Sequence, residues 1–188
     1  MGHGMASIME TIFDLAYLAT VWVLVALMAR GKSRTRPEEA GMSFRFLLAF
    51  LLLALGDSFH VGFRVLAEFL GEGAAFTTIG GVRSSLLGLG GLATAYTMTG
   101  FYMVLADARR LRSGGRADAA TWIMQSLFAL RLVLMALPGN AWEAAVPPAA
   151  MGILRNVPLS IAGFLMAALF VAEGRRSGDR AWAGIGWG

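Results

Sequence analysis

The chain has 188 residues, 57% of them hydrophobic and only 15% charged, with a net charge of +4 and a pI near 10.3. A typical soluble domain carries about 25% charged residues, so this balance describes a protein dissolved in lipid rather than in water. The absence of cysteine excludes disulfides, thiolate metal sites and a cysteine nucleophile.

A helix crossing the hydrocarbon layer needs about 20 predominantly apolar residues. Five segments meet or approach that length, at 8–28, 44–70, 86–105, 121–137 and 153–171. So few segments could not close a barrel, and open strands would leave backbone groups unpaired in lipid. The expectation is a single all-α membrane domain over residues 1–188, a bundle of five transmembrane helices.

The first span carries Glu10 and Asp14, and Ser7 followed by Glu10 reads as a capping box at its start. Its positive charges follow the apolar run instead of preceding it, so it reads as a retained helix and not as a cleaved signal peptide. The basic residues outside the spans fall almost entirely on one side. Twelve fall in the loop after span one, the loop after span three and the tail, and only Arg83 falls on the other side. That asymmetry places the N-terminus outside and the C-terminus in the cytoplasm, and it explains the basic pI without nucleic acid.

Span two, for which Ser43 is a candidate cap, contains GDSFHVGFR, residues 56–64. At 100° per residue Asp57, His60, Arg64 and Glu68 form one polar stripe on an otherwise apolar helix. Local pairing of Asp57 with His60, and of His60 with Arg64, is the expected arrangement. Span three, GLGGLATAYTMTG, sets Gly91, Ala95 and Thr99 four residues apart, the small-xxx-small pattern of close membrane-helix contacts. Thr94, Tyr96, Thr97 and Tyr102 add hydroxyls to this helix, which is expected at the centre of the bundle. A homodimer through it is compatible with the same stripe.

Asp118 is a candidate cap for span four, which carries Arg131 and ends at Pro138-Gly139-Asn140. Pro147-Pro148 stops helix before span five, where Arg155, Asn156 and Pro158 follow closely. The tail is too short to span. Its Trp182 and Trp187 suit the lipid–water interface, or begin a further helix.

A single charge costs roughly 2.5 to 3.5 kcal/mol at the bilayer centre on the insertion scale, so these residues are expected to meet inside the bundle. Glu10, Asp14 and Asp57 balance Arg64, Arg131 and Arg155, and an uncompensated member would be costly. The expectation is one outward-facing polar cluster, with Asp14, Asp57, His60, Arg64, Tyr96, Arg131, Arg155 and Asn156 as candidate ligand-binding residues.

Several chemistries fail on composition. The only lysine, Lys32, lies in a basic loop, which excludes a retinal pigment, and His60 and His3 do not supply a haem or zinc ligand set. No cofactor is expected; an oxygen-rich metal site from Glu10, Asp14 and Asp57 stays open. The combination Gly56-Asp57-x-Phe59-His60-x3-Arg64, a Gly- and Thr-rich helix ending in Phe101-Tyr102, and Arg155-Asn156-x-Pro158 resembles a family of small multi-pass bacterial membrane proteins. That resemblance implies a bacterial inner-membrane location and supplies no activity. Three roles fit the residues: binding or transport of a small polar, anionic or amphiphilic ligand; an enzyme acting on a lipid head group with His60 as base; or a scaffold whose charges only fasten helices. The first is favoured, with membrane lipid as the surrounding partner.

Overall fold

The computed structural model describes residues 2–31, 36, 37, 39–71 and 75–187. The long helices are α1 (Gly2–Gly31), α2 (Ala40–Leu70), α3 (Leu86–Arg112), α4 (Ala119–Ala136) and α5 (Ala149–Ser177), followed by the short α6 (Arg180–Trp187). All five long helices are apolar enough to cross a membrane. Most overrun the predicted spans because hydropathy registers only the part in hydrocarbon. Residues 106–112, where four charged side chains leave the segment too polar for the span but alanine, leucine and arginine favour helix, carry α3 beyond it. Apolar side chains stand exposed on every one, including Phe13, Phe59, Tyr96, Trp122 and Phe164. That amount of outward hydrocarbon is stable only against lipid.

Two caps differ from expectation. Helix α1 already begins at Gly2, which puts Ser7 inside it, and α2 begins at Ala40 after Glu39, which puts Ser43 in its first turn. Asp118 does cap α4, accepting from Thr121 N at 2.8 Å. Pro148 immediately precedes α5, and Pro158 lies buried inside it without ending it. The α4 terminus at Pro138–Asn140 closes in a 3-10 turn.

One element was not foreseen. Strands β1 (Phe76–Ile79) and β2 (Val82–Ser85) form an antiparallel hairpin across Gly80-Gly81, both at positive φ. A two-residue Gly-Gly turn is a hairpin signal, present in FTTIGGVRSS but overshadowed by the membrane spans.

Helix α3 is central. Its Gly90 lies under the α2 backbone at Phe59 and His60, and Thr94 donates to Gly56 O at 2.9 Å. A Cβ at Gly56 would overlap Thr97 Oγ1. Its Gly91, Ala95 and Thr99 stripe turns toward Trp142 and α4 within the same chain. Helix α1 packs principally on α2, whereas α4 and α5 pack on each other and on α3. Buried Leu105, Met124, Phe128, Met166 and Phe170 fill the core between α3, α4 and α5.

The tail forms the further helix, one of its two expected readings. Gly178 at φ 71° reverses the chain, Asp179 Oδ1 accepts from Trp182 N at 3.0 Å, and α6 runs back along α5 with Gly174 and Gly186 at the points of closest approach. Trp182 is consequently 4% exposed and stacked on Phe170 at 4.4 Å, while Trp187 stays exposed. Glycine on each helix lets the two backbones approach closely.

At the arginine-rich end, buried Arg109 joins three helices. It donates to Asp118, to Thr121 Oγ1 and to Glu173 Oε1 on α5. Arg45 and Arg110 share Asp107, and Arg112 bridges to Asp179. Several arginines of the topology signal are therefore also fasteners.

Candidate functional site

The intramembrane charges form two networks rather than one. In the first, α1 presents Glu10, Asp14 and Tyr17 to α2. Arg64 pairs with Asp14 through Nη2 and with Glu10 through Nη1 at 3.0 Å. Tyr17 donates to Asp57 Oδ2 at 3.0 Å, and Trp22 Nε1 to Ser58 Oγ at 2.9 Å. Asp57 and Arg64 stand seven residues apart, two helical turns, so both face α1. His60 lies about 60° round the helix from Asp57. It is exposed and makes no hydrogen bond or ion pair among the described residues. The expected Asp57–His60 and His60–Arg64 pairs are therefore absent: side chains on a neighbouring helix displaced partners within the same one.

Beside this network opens a cavity of about 690 Å³, bordered by Glu10, Arg64, Glu68, Phe76 and Ser85. The hairpin forms one of its walls. Its charges are already largely matched, with Arg64 held between two carboxylates.

The second network is built by α3, α4, α5 and the turn after α4. Arg131, 4% exposed, donates to Thr99 Oγ1 at 2.7 Å and to Asn156 Oδ1 at 3.2 Å. Its Nε is buried and unpaired. Helical side chains lean toward the helix N-terminus, which carries the Arg131 guanidinium away from the α4 end toward Thr99, halfway along α3. Arg155 donates to Asn140 Oδ1 at 2.9 Å and lies 4.3 Å from the Trp142 ring centroid.

Asn140 is the organiser that the sequence did not reveal. Fully buried, it directs Nδ2 at the terminal α4 carbonyls of Leu134, Met135 and Leu137, and leaves Oδ1 for Arg155. Trp142 Nε1 also caps Met135 O at 2.9 Å. A Pro-Gly-Asn sequence announces a helix end but not an inward-turned carboxamide.

Neither Arg131 nor Arg155 meets a carboxylate among the described residues. The balanced tally of three acids and three arginines is thus divided by the fold. All three acids lie on the α1–α2 side, and two arginines are left with neutral partners. Tyr96 joins neither network and is 41% exposed. No group of three His, Asp or Glu comes together as a metal-ligand set among the described residues, including Glu10, Asp14 and Asp57.

Fold and site together define a multi-pass helical membrane protein with a basic centre inside its bundle. No protein-family model, curated protein or solved structure matches the chain.

Proposed function

We propose that the protein binds a small anionic ligand, carrying a carboxylate or phosphate, at Arg131 and Arg155 in the membrane, within a pocket that faces outward. The reading rests on Arg131. A guanidinium nearly excluded from solvent, with neutral partners and one unpaired N–H, is an arrangement that costs several kcal/mol. A visiting anion offsets that cost. Arginine presents a planar fork suited to both groups, and Thr99, Asn140 and Asn156 fix its direction.

The outward placement is supported by the twelve-to-one distribution of basic residues between the two sides. The bacterial inner-membrane setting is supported by the sequence resemblance. An enzymatic role for His60 has no support in the geometry, since no partner orients its ring.

Thermal unfolding in detergent tests the reading with inorganic phosphate, acetate and dodecyl phosphate as probes. At least one should stabilise the protein, by about 2.7 kcal/mol at 100 times its Kd. Arg131→Met and Arg155→Met should abolish that response, and Arg64→Met should keep it. Without ligand, Arg131→Met should be at least as stable as the parent, because it removes an uncompensated buried charge. A few kcal/mol of destabilisation with no response to any probe would establish a purely structural role.

A further inference from the structure

A second cavity, of about 750 Å³, runs between α2 and α5 over α3, walled by Phe50, Phe101 and Phe164 and reached at its far end by Trp187 of α6. Its polar residues are Tyr102 and Ser160. Each lies one helical turn from an anchor of the basic centre: Tyr102 follows Thr99 by three residues, and Ser160 follows Asn156 by four. Ser160 also borders a shallow hollow of about 490 Å³ on the exposed side of α5, which Asn156 lines. The groove and the hollow meet at Ser160, and the hollow is lined by Asn156, the residue that receives Arg131. From Ser160 to Phe170 the groove extends about 15 Å along α5.

Resting on the anion-binding reading, we infer that the anion is the head group of a lipid-phase amphiphile, an alkyl-chain phosphate or carboxylate whose tail lies in this groove. Charge and surface agree on that occupant. Arg131 and Arg155 call for an anion, Asn156 stands exposed on α5, and the space one turn away is lined by aromatic side chains. A water-soluble anion would leave that length of groove without a role. Within a bilayer the tail gains little hydrophobic free energy, because lipid chains are as apolar as the groove. Specificity then comes from the head group, and the groove contributes by holding the tail in line with it.

The test uses the full chain in nanodiscs of zwitterionic phosphatidylcholine, with Tm as the readout. Dodecyl phosphate should raise Tm by several degrees, while millimolar inorganic phosphate and dodecyltrimethylammonium should not. Gly163 lines the groove, and a Cβ there would meet Tyr102 at an ordinary 3.8 Å. Gly163→Phe should thus fold, fill the groove and lose most of the dodecyl phosphate shift; Ser160→Leu serves as a second blocking variant. An equal shift with inorganic phosphate, or undiminished shifts in both blocking variants, would overturn the tail assignment and leave the anion site standing. No shift with either phosphate would remove both.

Discussion

Asp118 shows how much one residue can carry. It caps α4 and receives both Arg109 Nη1 and Nη2. Those hydrogen bonds from Arg109, with lesser ones from Thr121, hold its carboxyl well below the usual carboxylate range. A depressed folded-state pKa stabilises above the unfolded value and loses that contribution as pH falls. The Tm difference between the parent and Asp118→Asn should therefore be full at neutral pH and shrink below about pH 4. A difference independent of pH would dissociate the cap from its charge. Arg109→Met removes the donor itself, and should cost on the order of 2–3 kcal/mol in denaturant unfolding. That is less than the about 3–5 kcal/mol of a fully buried pair, because Asp118 and Glu173 keep contact with solvent. The cap was legible in the sequence because capping is local. The Arg109 pairing with Glu173 on α5 was not, since it joins residues 64 apart.

Among elements, the α2–α3 pair sets the geometry of everything else. Gly56 and Gly90 let the backbones approach, and Thr94 closes the contact with a hydrogen bond to Gly56 O. Gly56→Ala would drive a methyl into Thr97 and should cost about 1–3 kcal/mol, as overpacking does, measurable as a fall in Tm. Thr97→Ala should recover part of that loss by opening space, whereas independent, additive effects would count against the contact. Periodicity located the helices and the small residues of α3. It did not divide them between neighbours: Gly90 and Thr94 serve α2, and Gly91 and Thr99 serve the α4 side. Two helices with similar stripes have no local preference for one partner over another.

For the whole molecule, orientation is the quantity that charge counting predicts most directly. The chain lacks cysteine, so single cysteines report cleanly. Thr78→Cys at the hairpin should react with an impermeant maleimide in intact cells, and Arg116→Cys only after permeabilisation; the reverse pattern would invert the assignment. The sequence by itself determined the class, the five spans and the Asp118 cap, because hydropathy and capping are properties of contiguous residues. Only the tertiary structure decided that α1 takes Arg64 and Asp57, that α6 buries Trp182, and that Arg131 and Arg155 are left without acids. Charge pairing in a bundle depends on which helices are adjacent, and adjacency is set by packing between segments far apart in the chain. A balanced composition can accordingly fold into an imbalanced centre, and that imbalance is the feature from which the binding role is read.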